Sequence, residues 1–312
     1  MLTTLATLAG LALAQQTDTT VPVRAGARLE VNNFGGEIAV KTWSKTAVRV
    51  TASHSSRDRI IVDASEQVVR VKSESRRGPS QVVDYEITVP AAMALALSGV
   101  YTDITVDGSQ GEITAETVQG TVKVSGGVGN VSLKSVQGDV TLEKARGRID
   151  LSSVNETIKA SEISGDISAE TVNGDISLVQ VESSNAEATT VNGDVLYDGT
   201  IKDGGRYRFS THDGDLRVSV PEKSNVSVSV STFDGDFSAC FPVQLVGLKT
   251  KHRFTLTIGS GSARLELESF NGDIRLCRPG QLAKDKDWRA KNKDWDKNKD
   301  HDQDHDQDQE EE

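Results

Sequence analysis

The chain is expected to fold as an all-β protein: a single-stack parallel β-solenoid with two short strands in each coil of about 18–21 residues, an N-terminal β cap and a disordered C-terminal tail. Three observations carry this expectation. Glycines recur on a nine-residue grid through the middle of the chain, apolar and polar residues alternate between them, and every second turn has the same composition.

Gly111, Gly120, Gly129, Gly138, Gly147, Gly165 and Gly174 lie on one nine-residue grid, with Thr102 and Glu156 at the two points that lack glycine. Self-similarity at a fixed period is the signature of a repeat architecture. The second and fourth residues after each grid point are apolar: Ile113/Ala115, Val122/Val124, Val131/Leu133 and Val140/Leu142. The residue between them is polar, as in Thr114, Lys123, Ser132 and Thr141. Alternation with period two makes a strand with one buried face. One unit of the grid therefore holds one strand and one turn. Alternate turns read Val-Gln/Asn-Gly, as in Val118-Gln119-Gly120 and Val136-Gln137-Gly138, so a full coil is two units long. The series runs on to Gly193, Gly214, Gly235 and Gly272 at spacings of 19, 21, 21 and 37. The long interval holds an excursion near residues 241–261. The structural turn column is thus Gly120, Gly138, Gly174, Gly193, Gly214, Gly235 and Gly272. Two strands cannot close a core alone, so coils must stack and share one apolar interior. With the equivalent turn Val154-Asn155-Glu156 the column makes eight turns, and at a strand spacing of ~4.8 Å they give a stack about 40 Å long.

The flanks differ from this body. Residues 1–14 have a short apolar run ending in Ala12-Leu13-Ala14, which reads as a signal peptide cleaved before Gln15. Residues 21–90 alternate without a fixed period, as in Val48-Arg49-Val50 and Val68-Val69-Arg70-Val71, and read as the cap. Gly35-Gly36 and Arg77-Gly78-Pro79 mark turns within it. The solenoid then occupies 91–278. Residues 279–312 are almost wholly charged or amide side chains, too polar to offset their ordering entropy, and are expected to be disordered. The expected location is outside the cytoplasm: periplasmic, extracellular or at the cell surface.

Composition narrows the partners. Lys+Arg is 35 against 46 Asp+Glu, a net charge of −11, which speaks against nucleic acid. Aromatics at 4% make a poor stacking platform. No apolar run reaches the length of a membrane-spanning helix, so the mature chain is expected to lack a transmembrane segment.

Stacking turns repeats into columns. Gln119, Gln137, Asn155 and Asn173 form an amide file that can hydrogen-bond along the stack. Thr117, Ser135, Ser153 and Thr171 form a hydroxyl file able to satisfy turn backbone groups. Asp213, Asp215, Asp234 and Asp236, in two Asp-Gly-Asp turns, are expected to converge on neighbouring coils. Close carboxylates favour a divalent cation, so a weak Ca2+ site is one reading and a solvent-screened acidic turn the other. No other cofactor is indicated. His301 and His305, among tail aspartates, raise the same two alternatives. His212 falls in the column of Val118, Val136, Val154, Val172, Val191, Phe233 and Phe270, which suits a stacked structural ring. His54 and His252 lack an acid or nucleophile at a telling spacing, and no G-x-S-x-G, H-E-x-x-H or P-loop occurs. Cys240 and Cys277 each lie five positions after a turn glycine. On neighbouring coils they would stand one above the other, close enough for a disulfide; two free, core-packed thiols are the alternative.

The succession Tyr85-Glu-Ile-Thr-Val-Pro90, Leu95-Ala-Leu-Ser-Gly99 and repeated Thr-Val-x-Gly-Asp-Ile-x-Leu units resembles the bacterial putative-adhesin family of β-strand-repeat proteins, a domain family of unknown function, over roughly residues 21–278. The resemblance implies an exported or envelope-associated β-solenoid and brings no catalytic or binding residues with it. The function expected is non-enzymatic: a surface or periplasmic interaction or structural module whose partner is an envelope or extracellular protein or polysaccharide. The alternatives are a carbohydrate-active β-helix, polysaccharide-binding or lyase-like, and a weak Ca2+-binding envelope protein.

Overall fold

The computed structural model describes residues 15–76, 78, 82–243, 245–250 and 253–282, with 245–250 described by their backbone alone. The signal-peptide reading of 1–14, His252, Arg77 and Pro79 of the expected turn, and the tail from 283 onward lie outside the described residues.

The described residues form an all-β, solenoid-like fold of 24 strands. The cap and entry contain β1 (Gln15–Pro22), β2 (Arg28–Trp43), β3 (Ala47–His54), β4 (Asp58–Ala64), β5 (Val68–Ser75), β6 (Asp84–Pro90) and β7 (Ala94–Ser109). The regular repeats give β8 (Ile113–Gln119), β9 (Val122–Gly126), β10 (Val128–Gln137), β11 (Val140–Glu143), β12 (Arg146–Ser152), β13 (Ile158–Ser161), β14 (Ser164–Glu170) and β15 (Ile176–Asn192). The longer coils give β16 (Val195–Gly199), β17 (Arg206–Asp213), β18 (Leu216–Ser219), β19 (Val226–Asp234) and β20 (Phe237–Ala239). The chain ends through β21 (Leu245–Thr250), β22 (Arg253–Ile258), β23 (Ala263–Asn271) and β24 (Ile274–Cys277).

Strands one coil apart pair in parallel. Val131 faces Ile113 on one side and Ile149 on the other, and Val140 lies between Val122 and Ile158. Two walls result, and their inward residues are the apolar alternates of the repeat: Ile113, Leu133, Leu151, Val122, Leu142 and Ala160 are all buried. Full burial of each larger aliphatic side chain contributes about 1.5–3 kcal/mol. β2, β7 and β15 are long enough to turn the corner and serve both walls. Gly35-Gly36, expected as a turn between strands, therefore lies inside β2, because pairing with β7 continues through the bend. Where coils lengthen beyond two repeat units the interior widens, and Tyr197, Tyr207 and Phe209 fill it, with the Tyr197 and Phe209 rings stacked at 4.7 Å.

The pairing is mixed rather than parallel throughout. At the entry end, β3 pairs antiparallel with β1 and β6, and β4 with β5. At the exit end, β22 pairs antiparallel with β19 and β21. These strands cover the stack ends that a bare parallel coil would leave open.

Stack order also departs from chain order. The final coil, β23 and β24, does not follow the Gly235 coil at the end of the stack. It is inserted before it: β17 pairs with β23 and β23 with β19, while β18 pairs with β24 and β24 with β20. The chain leaves β20, makes the antiparallel pair β21–β22 beyond β19, then crosses over the start of β19 through residues 259–262. Asn225 pins the crossover. Its carbonyl accepts from Ala263 N at 2.8 Å, and its side-chain oxygen accepts from Ser260 N at 3.0 Å.

Candidate interaction surface

The corner carrying the Val-Gln/Asn-Gly turns is the most regular surface of the molecule. Two files hold it together. The hydroxyl of Thr117 donates to the Thr102 carbonyl at 2.8 Å, Ser135 to Gly120 at 2.9 Å, Thr190 to Gly174 at 3.0 Å, and Thr211 to Gly193 at 2.9 Å. Each hydroxyl thus ties its turn to the turn before. The amide file bonds along the stack: Asn173 donates to Asn155 at 3.1 Å and Asn192 to Asn173 at 2.7 Å. In the longer coils Asn271 donates to the Asp213 carboxylate at 2.7 Å.

Between these files runs a third. In stack order it reads Phe34, Val100, Val118, Val136, Val154, Val172, Val191, His212, Phe270 and Phe233. These side chains project outward; Val118 is 49% exposed, Phe270 46% and Phe233 64%. At the exit end the rings of His212, Phe270 and Phe233 stack at 4.7 Å each, nearly parallel at 15° and 5°. A groove of about 610 Å3 lies beside them, lined also by Ser210, Ser231, Arg253 and Glu268. At the entry end Phe34 meets Tyr101 edge-on at 5.6 Å, over an apolar hollow of about 390 Å3 that includes Val82. The result is a ridge of aliphatic and ring side chains along the corner. His212 belongs to it as a stacked ring, in the column where the sequence places it.

The Asp-Gly-Asp turns meet differently from the expectation. With the Gly272 coil interposed, Asp213 lies next to Asn271 and Asp215 next to Asp273, while Asp234 and Asp236 stand on the far side of that coil. The four acids therefore do not form a corner on neighbouring coils. The aspartates after the turn glycines have a backbone partner instead. Asp194 accepts from Asp215 N, Asp215 from Asp273 N and Asp273 from Asp236 N, each at 2.9 Å. Arg217, buried on the second wall, donates to Asp215 at 3.0 Å and stands 3.8 Å from Asp194. Among the described residues no three His, Cys, Asp or Glu side chains are grouped to hold a metal.

Cys240 and Cys277 are joined by a disulfide, with a Cα separation of 4.8 Å. Cys277 also packs with Leu196 and Leu282 outside the second wall, and the Arg278 guanidinium stacks on Phe241 at 3.8 Å. His54 is structural: its Nδ1–H donates to the Ser55 carbonyl and its Nε2 accepts from the Thr17 hydroxyl, both at 2.9 Å.

The strongest shifts in titration lie in the interior. Burial pushes the Tyr85 phenol up to about 12 and holds Tyr197 and Tyr207 above the ordinary tyrosine value. Tyr207 is fully bonded, donating to the Ser183 carbonyl at 2.7 Å and accepting from Lys202 N at 2.8 Å. On the surface, donation from Ser262 and Asn225 holds Asp203 below the usual carboxylate value.

One cluster escaped the sequence reading. Arg148, Arg206, Arg208 and Arg264 line a groove of about 750 Å3 on the outer face of the first wall. Arg206 and Arg264 are far apart in the chain and become neighbours only because the last coil is inserted beside β17.

Residues 14–277 match the protein-family model described as Toastrack DUF4097. No functionally curated protein matches the sequence. Among solved structures, a putative adhesin from Parabacteroides distasonis is 9% identical, with 85% of this chain and 98% of that chain covered and a TM-score of 0.47. A putative adhesin from Bacteroides fragilis is 13% identical, covering 86% and 100%, with a TM-score of 0.39. A putative lipid binding protein, also from Parabacteroides distasonis, is 10% identical, covering 84% and 96%, with a TM-score of 0.41.

Proposed function

We propose, since this chain belongs to the Toastrack DUF4097 family, that it is an exported, non-enzymatic contact module of the cell envelope or surface. In this reading the body is one continuous stack of parallel coils serving as a rigid rod, and its corner ridge is the surface offered to an envelope or extracellular protein. The carrying observation is the unbroken file from Phe34 to Phe233, exposed although its neighbours on either side are polar. Soluble proteins seldom leave a long contiguous apolar strip in water, and such strips mark interaction sites. Stacked rings at one end supply rigid area at little entropic cost, the character of contact hot spots. The Cys240–Cys277 bridge supports export, since disulfides persist in oxidising compartments.

The test is capture from an envelope fraction by the immobilised chain, with Phe233→Ser/Phe270→Ser beside the native protein. Both rings are exposed, so the double variant keeps its thermal midpoint within a few degrees. The reading expects a protein retained by the native chain and lost with the variant. Equal retention by both would sink it.

A further inference from the structure

Arg206 on β17 and Arg264 on β23 stand directly opposite each other on neighbouring strands. Paired strands lie ~4.8 Å apart, and like charges directly opposite are unfavourable. Both point outward, since Tyr207 and Leu265 beside them are buried. Neither guanidinium has an ion pair or hydrogen bond among the described residues. Two arginines on the entry-end sheet faces are matched, by contrast: Arg49 holds Asp18 at 2.7 Å and Arg70 holds Glu30 at 2.9 Å. A chain with a net charge of −11 thus keeps two unmatched cations in register, at the edge of a groove of about 750 Å3.

The groove's other charges define the ligand. Arg208 lies two positions along β17, between Glu187 and Glu266 on the adjacent strands. Asp150 and Asp166 lie farther across, towards Arg148. A densely charged polyanion, such as a nucleic acid or polyphosphate, would meet these acids at every step. A polymer with sparse carboxylates among many hydroxyls would not. Guanidinium forks suit carboxylates in bidentate geometry, and Asp and Glu accept from sugar hydroxyls. We propose that this groove binds an acidic polysaccharide of the uronate class, with Arg206 and Arg264 sharing one carboxylate. The site lies on the wall, separate from the apolar ridge, and names a ligand class for that second face.

Calorimetric titration of the full chain with polygalacturonate fragments tests this, with dextran as the neutral polymer and inorganic polyphosphate as the non-sugar polyanion. The uronate is expected to saturate, dextran to give no heat, and polyphosphate to bind at least tenfold more weakly. R206S/R264S should weaken uronate binding at least about tenfold, the loss of one charge-assisted pair. Removing a like-charge pair relieves repulsion, so this variant should melt no lower than the native chain. If it does melt lower, R264K decides: it keeps the charge without the fork, and weaker binding supports the site while unchanged affinity overturns it. Absence of uronate binding, undiminished binding by R206S/R264S, or polyphosphate bound as tightly as uronate would also overturn it. Phe233→Ser/Phe270→Ser should leave uronate affinity unchanged, so failure of the ridge reading and failure of this site are separable.

Discussion

A Cβ at Gly138 would stand 2.0 Å from the Gly120 carbonyl oxygen, and the residue holds φ +151. Gly138 therefore needs glycine for two reasons: a φ that L side chains rarely adopt, and a carbonyl of the preceding coil pressed against the Cα. This is why the nine-residue grid was legible from composition alone. Gly138→Ala should destabilise by about 1–3 kcal/mol, the usual scale for strained backbone positions, and thermal denaturation should show the midpoint falling by several degrees. An unchanged midpoint would mean that the turns slide freely past one another. The buried tyrosines make a second prediction. The phenols of Tyr85, Tyr197 and Tyr207 are raised above 10.0 by burial, so the folded state retains their protons longer than the unfolded chain does. Their stabilising contribution is complete below pH 10 and is lost as pH rises through about 12, where Tyr85 itself titrates. Thermal midpoints measured up this range should fall in step with tyrosinate absorbance, and Tyr197→Phe should flatten the fall.

At the scale of elements, the repeat made strand register readable, whereas the order of the last two coils was hidden. Gly235 and Gly272 are neighbours whether the second coil lies after the first or before it, and the spacing of 37 is the same in both cases. The cystine expectation survives because it needs only adjacency. The acidic corner does not, because it needs the Gly214 and Gly235 coils to touch. What decides the order is the β21–β22 pair, which occupies the outer edge of β19 and leaves only the inner edge for β23. The sequence carries no periodic signal for that choice. The same insertion makes the Arg206–Arg264 pair, which no reading in chain order could bring together. Once inserted, the coil is held by the disulfide across a sequence separation of 37. Closing a loop of that size contributes about 3–4 kcal/mol on the chain-entropy account. Cys240→Ser/Cys277→Ser should lose stability of that order in denaturant titration, and limited proteolysis should then cut first between β20 and β23. Early cutting within β8–β14 would show that the bridge does not guard this end.

At the scale of the whole molecule, the pairing of the described strands coil upon coil leads to the expectation of a short one-dimensional array. Each coil touches only its neighbours, so stability accumulates coil by coil. Coils such as β10–β11 and β12–β13 have a partner on both sides. The outermost strands β4, β1, β21 and β20 each have one. Local opening should therefore start at the ends and die away inward, since the free energy of opening follows the number of interfaces broken. Hydrogen exchange tests this directly. Amides of Val131, Leu133, Ile149 and Leu151, on ladders paired on both sides, should exchange slowest, and those of β4 and β21 fastest. Removing the cystine should raise exchange in β20 and β24 while β10–β14 keep their protection, because nearest-neighbour coupling carries a loss only a coil or two along the stack. Uniform protection from β7 to β24, collapsing together when the bridge is cut, would mean instead that the shared apolar interior makes the rod a single cooperative unit. The exposed ridge would then depend for its straightness on every coil at once, and a defect at Gly138 would disturb contacts as far away as Phe233. With nearest-neighbour coupling the aromatic end keeps its shape when a central turn is strained, so Gly138→Ala should lower the midpoint and still leave ridge-dependent capture intact.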